Sequence, residues 1–441
     1  MKQINYIPIA IIGLSLFFSC EKPAEEEPLP PMAEVGSELW DEAVKATIRT
    51  DVLNEAYYKD VFLDGGPYLT SRQILPSCDT FNISEEYING GSSAADSLVC
   101  HQVFTGTEMD HNGILLFPDG EPRFKLFYSC GGDSKAHGKM LQAPGRNAVR
   151  SFNFAGGSYL GSCAGAFLAA AKRDGSYMPQ YYGIWPGTTT GSGLTGSATG
   201  MFVDEGSPLL KYFDFGGDNY VDSVRHNGGC YNKDIYPGTE VLARYDKPDR
   251  AMHGQASVWA WKGSPYTGRV ICCGSHPEEV LSGERMHFFA AMLFYGFEGR
   301  GVAKVKTILN NGDVYVADKD SDDNDPAHAK IGDGQCHNYV AAIPKGAKNI
   351  RFRLEYSGDY DIHLLVKKDS FAFEDVADYK DVTAAAAKEL AFDTLPSGTW
   401  YIGVHNTSRP EVYSDKNGLC HYRGRTELLN GIAYKVSVLW E

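Results

Sequence analysis

The sequence predicts an α/β domain with an open, mostly parallel sheet, followed by an all-β sandwich. Residues 156–172 read as the end of a buried strand, a glycine-flanked cysteine turn and a run of helix-forming residues, which indicates a strand–turn–helix unit. From Gly332 onwards the pattern changes to alternating strands without long helices, which is typical of an antiparallel sandwich. A chain of 441 residues has room for both domains.

Cys163 lies at the centre of the strand–turn–helix unit. Gly161 and Gly165 flank it two residues away on either side. A sharp turn from strand to helix requires this spacing, because side chains there would collide with the backbone. The turn would place the thiol at a helix N-terminus, where the helix dipole favours the thiolate. The pentapeptide therefore predicts a nucleophile elbow with cysteine in the position of serine, and the alternative is a buried structural cysteine.

A base and an orienting carboxylate are predicted at His276 and Glu278. A short apolar strand ends at Gly274, and the two residues follow it with Pro277 between them. Residues two apart on an extended segment face the same side, so both side chains could point into one cleft. A cysteine nucleophile needs a base, and the base needs a third group that holds its tautomer. The predicted catalytic residues are Cys163 as nucleophile, His276 as general base and then acid, and Glu278 as the orienting carboxylate.

These motifs together resemble the class I glutamine amidotransferase-like superfamily. Residues 156–170 (GGSYLGSCAGAFLAA) most resemble the amidotransferase-like domain at the N-terminus of eukaryotic biotin–protein ligases and its stand-alone bacterial relatives. Residues 225–229 (RHNGG), between the two motifs, are similar to the Asn-Gly-Gly segment of those domains. The resemblance spans roughly residues 55–300 and is weak before Leu115.

The resemblance implies roles for six further residues. Gly131 and Gly132 follow the strand predicted at 124–128 and match the turn that supplies oxyanion-hole N–H groups; Ala164 would be the other donor. The segment that matches the Asn-Gly-Gly motif would bind substrate through Asn227, Gly228 and Gly229.

The expected reaction is hydrolysis of an amide, γ-glutamyl or peptide bond through a thioester. Neither the motif of biotin ligation nor an ammonia-using synthetase domain is recognisable in the sequence. The alternative is a non-catalytic cell-surface binding protein with an inherited amidotransferase fold. If Cys163 is buried or disulfide-bonded, or if His276 lies on the opposite side of the sheet, the enzyme interpretation fails and the binding protein takes its place.

The N-terminus predicts export. Residues 1–19 have one early lysine and an apolar run too short for a membrane-spanning helix, so they indicate a signal peptide. Cys20 follows directly and suggests a lipidated cysteine, although Phe17 departs from the usual lipobox; an ordinary signal peptide is the alternative. Residues 20–38 are an acidic, proline-rich tether that resembles surface-export signals of Bacteroidetes lipoproteins. The predicted location is the outer membrane, with the tether pointing to the cell surface.

Composition limits the partners. The formal net charge of −15 argues against binding to nucleic acid or to anionic lipid surfaces. A small amide or peptide-like substrate is expected, with membrane contact only through Cys20, and the oligomeric state stays open. The predicted domains are 39–301 and 331–441, joined by an acidic linker at 302–330. Within the linker, residues 318–325 alternate carboxylates like a calcium loop but lack its glycine and final glutamate, which favours a solvated linker.

The second domain resembles the bacterial pre-peptidase C-terminal domain, a jelly-roll-like module. Strands are predicted at 350–356, 360–366 and 398–404, and the order of their motifs carries the resemblance. No catalytic set is recognisable in this part of the sequence, so the module is expected to accompany an exported enzyme.

The ten cysteines fit an exported protein, in which disulfides form readily. Cys336 and Cys420 are alone in the second domain and are predicted to pair, and Cys78 with Cys100 is a plausible pair in the first. No metal site and no cofactor are expected, because no C-x-x-C motif occurs and the histidines are not spaced as ligands.

The remaining elements of the first domain are predicted from local patterns. They are strands at 60–63, 81–83, 113–117, 124–128, 220–232 and 240–245, a hairpin of 257–261 with 268–272, helices at 39–57, 148–154 and 284–297, and a loop system at 177–200.

Overall fold

The structure is a computed structural model that describes residues 104–279, 283–414 and 420–441, together with the strands at 59–63 and 80–82. The predicted signal peptide, the tether and the helix at 39–57 lie outside the described residues. So do Cys20, Cys78 and Cys100, and the predictions made for them stay predictions.

Within the described residues, the first domain contains thirteen strands and four helices. The strands are β1 (Lys59–Leu63), β2 (Thr80–Asn82), β3 (Phe124–Ser129), β4 (Ser158–Ser162), β5 (Ala170–Arg173), β6 (Ser176–Tyr177), β7 (Trp185–Gly191), β8 (Ser197–Val203), β9 (Tyr220–His226), β10 (Cys230–Tyr231), β11 (Glu240–Asp246), β12 (Ala256–Trp261) and β13 (Val270–Cys273). The helices are α1 (Ser134–Met140), α2 (Gln142–Ala155), α3 (Ala164–Ala169) and α4 (Gly283–Glu298).

Nine of these strands form one mixed sheet in the order β2-β1-β3-β4-β13-β12-β11-β8-β9. The strands from β2 to β13 pair in parallel, and those from β13 to β9 pair antiparallel. The prediction of an α/β domain is confirmed, but the sheet is mixed rather than mostly parallel. One physical reason is that the connections at 247–255, between β11 and β12, and at 262–269, between β12 and β13, are too short for the crossover that parallel neighbours need.

Helices cover both faces of this sheet. Leu126 and Tyr128 of β3 point to one face, where Phe289 of α4 packs edge-on against Tyr128. Phe127 points to the other face, in a core that it shares with Phe152 of α2. Because successive residues of a strand alternate between faces, one strand contributes to both cores.

The local predictions have mixed outcomes. The strand at 124–128, the hairpin that leads to residue 273 and the helix at 284–297 are confirmed by β3, by the β12–β13 pair and by α4. The strand at 113–117 is wrong, since only an isolated bridge between Leu116 and Pro122 forms there. The loop system at 177–200 is also wrong in part, because β6, β7 and the start of β8 lie in it; β7 carries three consecutive threonines, which favour strands.

The second domain is a β-sandwich. Its strands are β14 (Val305–Ile308), β15 (Val314–Ala317), β16 (Cys336–Ile343), β17 (Ile350–Tyr356), β18 (Ile362–Lys368), β19 (Tyr379–Asp381), β20 (Ala387–Phe392), β21 (Gly398–Asn406), β22 (Glu411–Ser414), β23 (Cys420–Arg423) and β24 (Tyr434–Leu439). A five-stranded sheet, β14-β16-β21-β18-β19, and a four-stranded sheet, β15-β24-β17-β20, share one hydrophobic core. All pairings in these two sheets are antiparallel except that of β14 with β16.

The segment at 302–330 is part of the sandwich. It contributes β14 to one sheet and β15 to the other, so the prediction of a solvated linker is wrong for these strands. The acidic stretch that follows β15 is folded locally, since Asp320 and Asp323 cap a short 3-10 turn and Asp320 pairs with Lys330 at 2.7 Å. β15 was not predicted from the sequence, because a strand of four residues is too short to show a clear alternation of apolar and polar residues.

A buried ion pair joins the two domains. Arg123 is 0% exposed, and its Nη1 donates to Oδ1 of Asp333 at 2.6 Å, while its Nη2 lies 3.3 Å from Asp110. A cavity of about 230 Å³ lies beside this junction, with Asp119 and His337 in its lining, and none of the predicted catalytic residues line it. Buried charges need such partners, so the pair helps to define how the domains meet.

The predicted disulfide between Cys336 and Cys420 is absent. Cys336 has a free, buried thiol whose Sγ lies 3.7 Å from the carbonyl oxygen of Ala372. It begins β16 in the five-stranded sheet, whereas Cys420 begins β23 in a separate two-stranded sheet. The prediction rested on the observation that the sequence of this domain contains two cysteines. That observation carries no information on how far apart they lie in the fold.

In the part of the chain that the structure describes, every helix is too short or too polar to cross a membrane.

Candidate active site

Cys163 lies in the turn between β4 and α3 and has an unusual backbone conformation. Its φ is 47° and its ψ is −102°, a combination that residues with a Cβ atom rarely adopt. The flanking glycines make the turn possible. A Cβ on Gly161 would lie 2.4 Å from the carbonyl carbon of Gly165, and a Cβ on Gly165 would lie 2.1 Å from the carbonyl oxygen of Ser129.

The thiol of Cys163 is free and enclosed. The residue is 5% exposed, and its Sγ lies 3.6 Å from the carbonyl oxygen of Asn227. Its backbone N–H donates to the carbonyl oxygen of Cys273 at 2.9 Å, which ties the turn to the neighbouring strand β13. The side chain also lies close enough to His276 to raise the pKa of its ring.

His276 lies on the same side of the sheet as Cys163. Its N–H donates to the carbonyl oxygen of Arg225 at 2.8 Å, and its ring Nδ1 is 3.0 Å from Oε1 of Glu278. Burial lowers the pKa of His276, but hydrogen bonds to Cys163 and Glu278 raise it to about 10. The imidazolium form is therefore favoured at neutral pH.

Glu278 holds the imidazole from a fully buried position. It lies in a short 3-10 turn, Pro277–Glu279, and is 0% exposed. Its Oε1 also accepts a hydrogen bond from Oγ of Ser162 at 2.8 Å, and Oγ of Ser162 is 2.8 Å from the hydroxyl of Tyr128. A chain of polar contacts thus runs from Tyr128 to His276.

Sequence reasoning missed Ser162 and Tyr128. Ser162 directly precedes Cys163, and Tyr128 is the penultimate residue of β3, which pairs with β4 in parallel. Because the ends of parallel strands meet at one edge of the sheet, that placement is the signal that could have found them.

The Gly131-Gly132 turn packs against His276. A Cβ on Gly131 would lie 2.2 Å from Cε1 of the His276 ring, so only glycine fits there. Gly132 has a φ of 141°, another conformation that favours glycine. Among the described residues, no hydrogen bond acceptor is found for the N–H groups of Gly132 and Ala164. The structure therefore brings the turn to the histidine and leaves both amides available as donors.

Of the predicted substrate-binding residues, Asn227 lies closest to the thiol, through its carbonyl oxygen. Its side-chain Oδ1 accepts a hydrogen bond from the N–H of Gly196 at 3.1 Å, and the N–H of Gly228 donates to Leu194 at 2.7 Å. The carbonyl oxygen of Gly229 accepts from the N–H of Ser192 at 3.0 Å. The Asn-Gly-Gly segment is thus fastened to residues 192–196 beside Cys163.

A second buried histidine, His226, lies next to this group and was not predicted as a site residue. Its Nε2 is 2.7 Å from Oγ of Ser192 and its Nδ1 is 2.9 Å from Oγ of Ser275. Burial, assisted by the charge of His276, lowers the pKa of His226 to about 4. The ring is therefore neutral at neutral pH, and its serine contacts hold it in place.

One set of described residues could hold a metal ion, and it lies in the second domain. His363, Glu374 and His405 each offer a ligand atom, and these atoms lie within 4.8 Å of one another. Sequence spacing did not indicate this group, because His363 and His405 lie on different strands, β18 and β21.

Comparisons with known proteins are distant. No protein-family profile matches the chain. An uncharacterized protein of Chlamydia muridarum (strain MoPn / Nigg) is 29% identical over 148 residues, which are 31% of this chain and 56% of the relative. The chain thus spans little more than half the length of that relative.

Two solved structures show weak similarity. One is described as the crystal structure of a glutamine amidotransferase; it has 20% identity and a TM-score of 0.28, over 38% of this chain and 79% of the other. The other is the pre-peptidase C-terminal domain of a collagenase from Bacillus anthracis; it has 12% identity and a TM-score of 0.20, over 31% of this chain and 97% of the other. Scores this low define no shared function, so the site's own geometry has to support one.

Proposed function

We propose that the protein is a cysteine-dependent hydrolase that cleaves an amide, γ-glutamyl or peptide bond. The observation that carries the proposal is the contact series from Cys163 to His276 to Glu278, which ends at a carboxylate 3.0 Å from the imidazole. The strained turn at Cys163 adds support, because such conformations concentrate at functional sites. We assign the turn as a nucleophile elbow of the amidotransferase-like type.

The reaction would begin with attack of the Cys163 thiolate on the acyl carbon of the substrate. The N–H groups of Gly132 and Ala164 would stabilise the oxyanion of the tetrahedral intermediate. The imidazolium of His276 would give its proton to the leaving amine as the C–N bond breaks, which leaves a thioester. His276, now neutral, would take a proton from water as the water attacks the thioester, and the C–S bond would then break, which releases the carboxylic acid and restores the thiolate–imidazolium pair.

Each buried partner would have a separate task in that scheme. Glu278 would hold His276 in the tautomer whose Nε2 faces the thiol, since its Oε1 is bound to Nδ1. Ser162 and Tyr128 would hold Glu278 in turn, and they are positioning residues rather than catalytic ones.

A second candidate function is a surface binding protein that does not turn over. The observation in its favour is the enclosure of Cys163, which is only 5% exposed. The thiol is not disulfide-bonded and His276 lies beside it, so the other two conditions for this candidate are not met. The two candidates differ in whether a substrate can reach the thiol of Cys163 and be cleaved there.

The cellular location of the protein is proposed from its N-terminal sequence. The apolar run that ends at Cys20 and the acidic tether after it support export and lipidation, which would place the enzyme at the outer membrane. Wild-type protein expressed with its leader should then partition into detergent, and the Cys20→Ala variant should not. Equal partitioning of the two would remove the lipid anchor from the proposal.

Substrate profiling with a thiol-directed activity probe tests the reaction. Wild-type protein should be labelled at Cys163 and should hydrolyse at least one member of a panel of γ-glutamyl and peptidyl anilides. Cys163→Ala should lose both labelling and hydrolysis. Cys336→Ala, which removes a buried thiol in the other domain, is the matched control and should keep both. Efficient labelling without hydrolysis of any panel member would favour the binding protein.

A further inference from the structure

The sandwich domain contains a cluster of two histidines and two carboxylates that the proposed hydrolysis does not use. His363 of β18 and His405 of β21 are directly opposite each other in an antiparallel pair, so their side chains emerge on the same face. That face is turned away from the sandwich core, since Ile362, Leu364 and Val404 beside the two histidines point into the core. Both histidines are 6% exposed.

Glu374 reaches the histidines from a segment that covers this face. Its Oε2 lies 2.9 Å from Nδ1 of His363 and 3.0 Å from Nδ1 of His405. The covering segment is anchored by Phe371 and Phe373, which pack in a small core on the outer face of the sheet. Three separate elements therefore direct one ligand atom each at a common point.

The two ring nitrogens of His363 face different carboxylates. Its Nε2 is 2.9 Å from Oδ1 of Asp361, while its Nδ1 faces Glu374. A neutral imidazole carries one N–H, so it can donate to only one of two carboxylates. If Nε2–H donates to Asp361, the lone pair of Nδ1 points at a carboxylate oxygen. A cation between the two atoms would relieve that contact.

We propose that His363, Glu374 and His405 bind a divalent cation of the zinc type, with Asp361 as the carboxylate that orients His363. Two imidazole nitrogens and one carboxylate oxygen form a ligand set that suits zinc, with a fourth position open to water. A carboxylate on the far nitrogen of a ligating histidine is the usual outer partner in such sites.

Two of the three distances between ligand atoms need only small adjustments, whereas the two histidine nitrogens, which lie within 4.8 Å of each other, would have to move closer together. Zinc bonds of about 2.0–2.2 Å in tetrahedral geometry place ligand atoms about 3.3 Å apart. The two contacts to Glu374 are a few tenths of an ångström shorter than that, and its side chain is about one-third exposed and free to shift. The bound ion would tie the covering segment to β18 and β21.

Zinc uptake by the full chain tests the proposal. The protein is purified without a histidine tag, stripped with EDTA and titrated with Zn²⁺ against a chromophoric chelator, all in a Cys163→Ala background so that the thiol of the first domain does not compete. We expect about one Zn²⁺ per chain, and four-coordinate visible bands when Co²⁺ replaces it. Binding should be lost in His363→Ala and His405→Ala.

Two more conservative variants test the site even if the histidine variants fail to fold. Glu374→Gln changes a partly exposed side chain and should weaken Zn²⁺ binding at least tenfold. Asp361→Asn should weaken it by about 10- to 100-fold without abolishing it, as expected for an outer partner. His253→Ala removes an exposed histidine of the first domain and should bind Zn²⁺ with the same affinity as the Cys163→Ala protein. Unchanged stoichiometry and affinity in Glu374→Gln, or no uptake by the parent, would overturn the site.

Discussion

Replacing His276 with asparagine should slow the alkylation of Cys163 by iodoacetamide at pH 7. Asparagine keeps an amide donor near the position of Nδ1 for Glu278 but removes the positive charge beside the thiol. The rise in the pKa of His276 from 6.5 to about 10 corresponds to a preference of about 5 kcal/mol for the imidazolium, and burial allows little solvent screening. By reciprocity, the imidazolium favours the thiolate that stabilises it.

The size of the effect follows from the ionised fraction. An ordinary thiol with a pKa of about 8.5 is about 3% ionised at pH 7. Complete ionisation of a thiol would therefore raise its alkylation rate by about 30-fold, which sets the upper limit for the effect of the positive charge on His276. A stabilised thiolate is also a weaker nucleophile, which reduces the expected ratio to about tenfold. Near pH 10 the ratio should fall to about 1, because the unpaired thiol is then ionised and His276 loses its proton.

The assay follows alkylation of the Cys163 peptide by mass spectrometry between pH 6 and 10. The five other free cysteines in the described residues are buried and serve as internal references. His253→Asn is the matched control, since that ring is exposed and lies outside the site. Equal rates in wild type and His276→Asn at pH 7 would refute the ion pair. So would a tenfold rise in the wild-type rate per pH unit between pH 6 and 8.

Three further predictions concern stability. Because the pKa of His276 is raised on folding, its contribution is fully present below pH 6.5 and is lost as the pH rises to about 10; the urea midpoint of wild type should fall across that range more than that of His276→Asn. Arg123→Met should lower the free energy of unfolding by about 3–5 kcal/mol in denaturant titrations, because it removes the cation that contacts the fully buried carboxylate of Asp333 at 2.6 Å. Gly165→Ala should lower the free energy of unfolding, measured by thermal unfolding, by about 1–3 kcal/mol, because its Cβ would collide with the backbone of Ser129.

The last two predictions have controls within the chain. The double variant Arg123→Met/Asp333→Leu should recover part of the stability that Arg123→Met loses, since the buried carboxylate of Asp333 is removed while Asp110 still lacks its contact with Arg123. Gly206→Ala has no atom within 4 Å of the added Cβ and should unfold within about 0.5 kcal/mol of wild type. If Gly165→Ala is as stable as Gly206→Ala, the turn is less crowded than the structure indicates. If Arg123→Met is as stable as its double variant, the charge on Asp333 is not desolvated.

The sequence by itself determined the local features of the proposed active site. The glycines around Cys163 reflect a backbone requirement that is visible in five residues, because a side chain at either position would meet the adjacent turn. His276 and Glu278 are two residues apart, so their meeting depends on one short segment. The alternating strands of the second domain were equally readable, since the period of two follows from a sheet with one face in the core.

Only the tertiary structure decided which distant side chains meet. The mixed direction of the first sheet, the free thiol of Cys336 and the placement of Tyr128 behind Glu278 depend on strand order, which local patterns do not encode. The same holds for His363 and His405, which are far apart in sequence but opposite each other on neighbouring strands. Spacing rules for metal ligands apply to short loops and helices. Ligands on paired strands are brought together by register, and register is settled only when the whole sheet packs.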